Sequence, residues 1–420
     1  MTACTFPNRQ TALEIWKQGI NYRREHDGWP PRFETEYLFH SLGIAHACAR
    51  VATLIPGMDS EKAWVLGLLH DYGKRHDERK GEHFHALDGY EEMLCLGYTD
   101  VARICLTHSF PKKDFDFSAY GCSKNWLATA REKLENVKID DYDRLVRLFD
   151  FMFEGMRITT FENRVAGIIS RYHPKTPPTD LYNHALENKA YFESKIGQNI
   201  YQLFDVREKL PQLPTPVEAE ILFEVIIWLR NLSEHPFTPE QEKTFRAHCS
   251  AVADIAATIA AATPDMDSER AYVLGLLHDC GRLRDEYTEP CFHGWVGYEF
   301  MTEHNFPDLA RISITHTFYK QDFDPASYPQ NRTAILKCRD YLQSTTYNDD
   351  DRLIQLCDML NNLGKTCTIE QRMADINRRY HIPEEKTQPL IKALQKIKGY
   401  FDGRCGIDVY DMLGLKERNV

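Results

Sequence analysis

Apolar side chains recur at three- and four-residue spacing along most of this chain and do not alternate with the two-residue period of a half-buried strand. The pattern predicts an all-α protein. Between Tyr37 and Leu54 the apolar positions include Leu38, Leu42, Ala45, Ala49 and Ala52, which places His40 on a buried helix face. Asp59 then offers an N-cap and Glu61 a first-turn acid for a helix from Lys62 to Asp71. Trp64, Val65, Leu66, Leu68 and Leu69 make that helix apolar nearly all round, so it is expected at the centre of a bundle. Gly67 is expected to let a neighbouring helix approach closely, and Gly73 to end the helix just after His70 and Asp71.

The same features return at Asp267, Glu269, Tyr272 to Leu277, Gly275 and Gly281, because the chain contains itself twice. His40, His70, Asp71, His85, His108 and Asp150 recur 208 residues later as His248, His278, Asp279, His293, His316 and Asp358. The intervals of 30, 1, 14, 23 and 42 residues are reproduced without an insertion, although surface residues around them differ. The duplication extends outward: the apolar run Leu13 to Ile20 answers Ile221 to Leu229, and Tyr191-Phe192 pairs with Tyr400-Phe401 after a one-residue slip. The Pro-rich piece from Pro211 to Pro216 reads as the linker, giving domains 1–210 and 211–420. This period is too long for a solenoid, so two tandem helical bundles are expected, and they are free to pack as an internal pseudo-dimer.

Register sorts the 17 histidines. His46, His76, His83, His184 and His304 have no counterpart at the 208-residue offset and read as surface or boundary residues. His173 and His381 follow Arg171-Tyr172 and Arg379-Tyr380, and are expected to close a helix. Four histidines and two aspartates held in register point instead to metal coordination. Six donors are too many for one ordinary ion and suit two, with Asp71 as the bridge, His40, His70 and Asp150 on one ion, and His85 and His108 on the other. The second copy repeats this around Asp279. Nitrogen and oxygen donors without thiolate fit iron, manganese or zinc, so two divalent or mixed-valent ions per domain are expected.

Composition narrows the setting. A chain of 420 residues with 43% hydrophobic content can fill two cores of ordinary size. Its net charge of −11 and pI near 5.9 argue against a nonspecific grip on nucleic acid, which needs a basic surface. No basic-plus-apolar leader is visible, and no apolar run reaches the roughly 18 residues of a membrane span, so a cytoplasmic protein without membrane attachment is expected. The 12 cysteines are scattered and form no C-x-x-C pair, which favours reduced, mostly buried thiols.

The residues also carry a family resemblance. The chain resembles the HD superfamily of metal-dependent phosphohydrolases, whose signature is a His, an adjacent His-Asp pair at a helix end and a distant Asp, here His40, His70-Asp71 and Asp150. The segments from Leu68 to Lys74 and from Leu276 to Arg282 look like the family's LLHDxGK core. His85 and His108 look like the extra histidines of its dinuclear branches, which include cyclic-dinucleotide phosphodiesterases, diadenosine-tetraphosphate hydrolases and some oxygenases. Gly89-Tyr90-Glu91 lacks the proline of the cyclic-di-GMP branch, and Ser109 stands where that branch has a second His, so that substrate is disfavoured.

The resemblance implies hydrolysis of a phosphate ester or anhydride of a small molecule, a nucleotide first among them, by a hydroxide shared between two ions, with one site per domain. Asp71 and Lys74, and Asp279 and Arg282, are the expected catalytic groups. The cation after the His-Asp pair suits a phosphate contact, although a basic residue at a helix C-terminus also serves as a solvated charge facing the dipole. A loop after the fourth histidine repeats Lys112, Asp114-Phe115-Asp116 and Tyr120 as Lys320, Asp322-Phe323-Asp324 and Tyr328. Phe115 and Phe323 could stack on a base while Lys112 and Lys320 touch phosphate; the loop reads equally well as an Asx-type turn with a buried anchor. Arg144 and Arg352, each after an aspartate, read as helix-surface ion pairs. Two other classes remain open: a dinuclear iron oxygenase on the same ligands, marked by oxygen consumption, and a nucleotide-binding regulatory protein, against which the intact ligands of both copies weigh.

Overall fold

A computed structural model describes residues 5–30, 32–110, 112, 115, 123–175, 177–286, 291–321, 323, 325 and 331–415. The chain divides into two compact units, Met1–Leu210 and Pro211–Val420. In the first, helices run α1 (Arg9–His26), α2 (Phe33–Thr53), α3 (Ser60–Leu69), α4 (His85–Cys95), α5 (Thr99–Thr107), α6 (Lys124–Glu135), α7 (Asp141–Met152), α8 (Phe161–Tyr172), α9 (Thr179–Ile196) and α10 (Ile200–Leu203). The second repeats them as α11 (Pro216–Asn231), α12 (Pro239–Ala262), α13 (Ser268–Leu277), α14 (His293–Glu303), α15 (Pro307–Thr315), α16 (Arg332–Gln343), α17 (Asp349–Met359), α18 (Ile369–Tyr380), α19 (Glu384–Cys405) and α20 (Val409–Met412). The fold is all-α apart from one two-stranded hairpin in each unit, β1 (Phe153–Glu154) with β2 (Arg157–Ile158) and β3 (Asn361–Asn362) with β4 (Lys365–Thr366). Runs this short carry no readable alternation, so the sequence pattern gives no sign of them.

The central helix begins where its cap requires. Asp59 accepts hydrogen bonds from the backbone N–H groups of Glu61 and Lys62, and Asp267 does the same for Glu269 and Arg270. From Ala63 to Leu69 every side chain of α3 is buried. A Cβ on Gly67 would lie 2.9 Å from Ala45 Cα, and one on Gly275 would lie 2.8 Å from Ala253 Cα. These glycines bring α3 onto α2, and α13 onto α12, with main chain against main chain.

Gly73 departs from expectation. The helix stops at His70, and Gly73 lies in a 3-10 turn, Tyr72–Arg75, instead of providing a left-handed cap. Its missing side chain matters because a Cβ would sit 2.0 Å from the carbonyl oxygen of His85. Gly281 has the same relation to His293, at 1.8 Å. The turn that follows the His-Asp pair is thereby pressed onto the first turn of the helix that carries the third histidine. His173 and His381 do close helices, at the C-caps of α8 and α18 in the left-handed region. Among the described residues no helix is long and apolar enough to cross a membrane, and the described cysteines are free thiols.

Candidate metal centres

Each ligand enters from a separate structural position, and backbone carbonyls orient the imidazoles. His70 caps α3 with Nδ1 at 2.7 Å from the carbonyl oxygen of Gly67; His108 caps α5 with Nδ1 at 3.1 Å from that of Ile104. A carbonyl can only accept, so these bonds put the proton on Nδ1 and leave the Nε2 lone pair facing inward. His278 and His316 repeat the arrangement with Gly275 and Ile312 at 2.7 and 2.8 Å. His85 opens α4, and its Nδ1 lies 2.7 Å from Glu78 Oε1, as His293 Nδ1 lies 2.7 Å from Glu286 Oε2.

Two pairs of imidazoles result, with Asp71 between them. His40 Nε2 is 3.2 Å from His70 Nε2, and His85 Nε2 is 3.2 Å from His108 Nε2. Asp71 turns one oxygen to each pair: Oδ2 lies 3.3 Å from His40 and 3.5 Å from His70, while Oδ1 lies 3.3 Å from His108 and 3.6 Å from His85. Asp150 Oδ1 completes the first pair at 3.1 Å from His40. Ligand atoms of His40, His70, Asp71 and Asp150 lie within 4.8 Å of one another, and so do those of Asp71, His85 and His108.

The second unit groups His248, His278 and Asp279, and again Asp279, His293 and His316. Asp358 lies 3.2 Å from His248 and 4.0 Å from His278 but stands outside the compact group. Asp279 Oδ1 lies 3.5 Å from both His293 and His316.

The donor set fits a cation. Asp71 Oδ1 and Asp279 Oδ1 are buried and accept no hydrogen bond, although two imidazole nitrogens face each of them. A buried carboxylate oxygen without a donor costs about 1–3 kcal/mol or more, and an ion shared with the two nitrogens would remove that cost. Burial opposes ionisation of Asp71, but Lys74 and His70 outweigh it and hold the carboxyl well below the usual carboxylate range; Arg282 and His293 do this for Asp279. Lys74 Nζ sits on Asp71 Oδ2, and Arg282 Nε donates to Asp279 Oδ2 at 2.6 Å. In the first unit the cation therefore touches the same oxygen that faces the first imidazole pair.

Several supporting groups escaped the reading of the sequence. Burial opposes the charge on Glu78, yet the imidazole of His85 pulls its carboxyl down to about 2, and Glu286 behaves alike beside His293. A carboxylate behind a ligating histidine fixes its tautomer and makes its free nitrogen a better donor. Glu78→Ala is expected to weaken the ion at His85 and His108 by roughly 10- to 100-fold while the domain stays folded. Competition with a chromogenic chelator measures this, and unchanged affinity would remove Glu78 from the centre.

Asp143 and Asp351 are fully buried. Asp351 takes hydrogen bonds from Arg311 at 2.6 Å and Thr315 at 2.7 Å, and Asp143 is matched in the same way by Arg103 and Thr107. The partner of Asp143 is thus Arg103 across the bundle. Arg144 instead lies over the ring of Tyr191 at 4.8 Å, and Arg352 pairs with Asp349 at 3.0 Å on the helix surface. Because Thr107 precedes His108 and Asp143 lies on the helix of Asp150, one buried carboxylate ties a member of each His/Asp cluster to the other. The 208-residue offset also relates Glu78 to Glu286, Arg103 to Arg311 and Thr107 to Thr315, and was the available signal.

At the loop after the fourth histidine the packing of the described residues agrees with the anchor reading. Phe115 is buried in a cluster with Phe84, Phe110, Leu127 and Ala130, and Phe323 stacks on Phe318 with ring centroids 4.1 Å apart. Phe115 is a buried anchor, and Phe323 is a half-buried one. Lys112 pairs with Asp180 at 2.9 Å, and Lys320 is exposed beside the ring of Tyr319. None of the four lines the clefts over the centres. Asp114, Asp116, Tyr120, Asp322, Asp324 and Tyr328 lie outside the described residues.

A family model described as the HD domain matches residues 37–150 and again 245–363, spans that contain all twelve ligand positions. No curated protein and no solved structure matches the chain.

Proposed function

Because the chain belongs to the HD domain family of metal-dependent hydrolases, we propose that each half is a phosphohydrolase site that cleaves a phosphate ester or anhydride of a small molecule, with nucleotides the leading class. His40, His70, Asp71, His85, His108 and Asp150 would hold one pair of ions, and His248, His278, Asp279, His293, His316 and Asp358 the other. The observation that carries this reading is the divided carboxylate of Asp71, one oxygen turned to each imidazole pair and a cation seated on the first. Ions bound there would supply Lewis acidity and a water of lowered pKa.

The protein's own contribution is positional and electrostatic. Carbonyls and Glu78 keep the lone pairs of three imidazoles, His70, His108 and His85, inward, and the Asp143 network keeps His108 and Asp150 in place. Lys74 and Arg282 are partly exposed, lie at the edge of the centre, and can exchange the carboxylate for a phosphoryl oxygen as charge moves onto it. Protein reconstituted with iron, manganese or zinc is expected to release phosphate in a screen of phosphorylated metabolites; oxygen uptake without phosphate release would overturn the hydrolytic reading. The oxygenase alternative rests on the all-nitrogen-and-oxygen donor set, which an iron pair also accepts.

Lys74→Ala, measured in an Asp279→Ala background so that only the first site turns over, is expected to lower kcat/KM by roughly 10- to 150-fold, the equivalent of about 1.5–3 kcal/mol for a charged hydrogen bond. An unchanged kcat/KM would make Lys74 a solvated helix-end charge.

A further inference from the structure

The two centres share their ligands, but the clefts above them do not match. The cleft of the second unit has a volume of about 790 Å³ and is lined by His248, Asp279 and His316 together with Arg372, Arg379 and Tyr380. The cleft of the first unit measures about 260 Å³ and includes His40, Lys74, Arg164 and Arg171. Arg164 and Arg171 are the 208-residue equivalents of Arg372 and Arg379, so both clefts inherit the same pair of guanidinium groups from the same helix.

What differs is whether an acid already occupies them. In the first unit Glu154, on the hairpin, lies 2.6 Å from Arg171 and 3.6 Å from Arg164, and Glu36 adds a second carboxylate to the same wall. Gly167 makes room for this plug: a Cβ there would meet Glu154 Oε1 at 2.3 Å. In the second unit Asn362 replaces Glu154, Thr244 replaces Glu36 and Asp375 replaces Gly167. Arg372 donates to the neutral Asn362 oxygen at 2.9 Å, and no carboxylate among the described residues lies within ion-pair distance of it. Arg379 pairs with Asp375 at 2.7 Å, but that single acid also serves Arg378. Glu240, which takes the place of Arg32, is exposed in the first turn of its helix.

We propose that the second unit carries an anion subsite built on Arg372 and Arg379, in the same cleft as the candidate metal ligands but made of none of them, and that its substrate bears a second phosphate or carboxylate besides the group delivered to the metals; Glu154 closes the equivalent subsite in the first unit. The assignment rests on the reading of the centres as phosphate-handling sites. A guanidinium fork without an acid partner binds a phosphate or carboxylate with two parallel hydrogen bonds, whereas one already paired to Glu154 would have to give up that pair first.

Non-hydrolysable phosphonates test this in the metal-reconstituted full chain by calorimetric titration. Alkane α,ω-bisphosphonates from ethane to hexane are compared with the alkylphosphonate of equal length. At the favoured length the bisphosphonate is expected to bind one site per chain at least tenfold more tightly than its monophosphonate. Asn362→Glu, which installs the acid of the first unit, and Arg372→Ala are each expected to abolish that advantage. Glu154→Gln is expected to raise the number of such sites from one to two, which keeps the test informative should Arg372→Ala disturb folding. Equal affinity for the two ligands, or an advantage that survives both Asn362→Glu and Arg372→Ala, would overturn the subsite. If the advantage is present but no phosphorylated metabolite is hydrolysed, the hydrolytic reading falls alone; if hydrolysis proceeds without the advantage, the subsite falls alone.

Discussion

Asp71→Ala is expected to empty the first centre of both its ions while the second continues to turn over, and only its combination with Asp279→Ala is expected to abolish hydrolysis. The carboxylate of Asp71 presents one oxygen to His40 and His70 and the other to His85 and His108, so its removal takes a donor from each ion at once. Elemental analysis of reconstituted protein should fall from about four ions per chain to about two in either single variant. Phosphate release should fall by on the order of a thousandfold or more in the double variant, the scale of several kcal/mol of lost charge stabilisation. A wild-type content of no more than one ion per domain would defeat the dinuclear assignment. A folded but inactive Asp71→Ala would defeat the independence of the two sites.

Gly73→Ala should be as damaging by a different route. The added methyl would meet the carbonyl carbon and oxygen of His85, at 2.7 and 2.0 Å, and the backbone nitrogen of Gly89 at 2.8 Å, so no side-chain rotation relieves it. The 3-10 turn and α4 must separate, which carries His85 away from His108. Overpacking of a well-filled contact costs about 1–3 kcal/mol, and a clash against main chain belongs at or above the top of that range. With two units in one chain the loss is best read as a shift of one calorimetric transition while the other stays in place. Retention of both transitions and of full metal content would show that the turn can move freely.

The His and Asp residues that cluster, the all-α class and the duplication were legible in the sequence because each leaves a periodic trace. Buried helix faces repeat at three and four residues, and metal ligands tolerate no drift between copies. Asp59 and Asp267 were legible as caps because the chemistry of a cap is local. Glu78 was not, because its value lies in being 2.7 Å from His85 across seven residues that follow no regular period. Asp143 was not legible for a related reason: its neighbour in sequence is Arg144, whereas its partner is Arg103 on another helix. Phe115 and Phe323 read equally as substrate contacts and as anchors because they stand in a polar loop, and the anchor reading becomes visible only in their packing against Phe84, Phe110 and Phe318. The two short hairpins were invisible, yet they carry Glu154 and Asn362, the residues that distinguish one cleft from the other.

The contact of Gly67 with Ala45 separates two properties that most enzymes alter together. The helices bearing His40 and His70 meet main chain against main chain at Gly67 and Ala45, so the spacing of those imidazoles rests on the absence of a side chain at that crossing. Glu154 and Asn362, and the paired arginines of the cleft walls, belong to other elements, the hairpins and α8 and α18. A duplicated gene with this construction could diversify what it recognises while conserving how it reacts: exchange of a glutamate for an asparagine on a two-residue strand re-tools the mouth of a site whose chemistry is anchored a helix away.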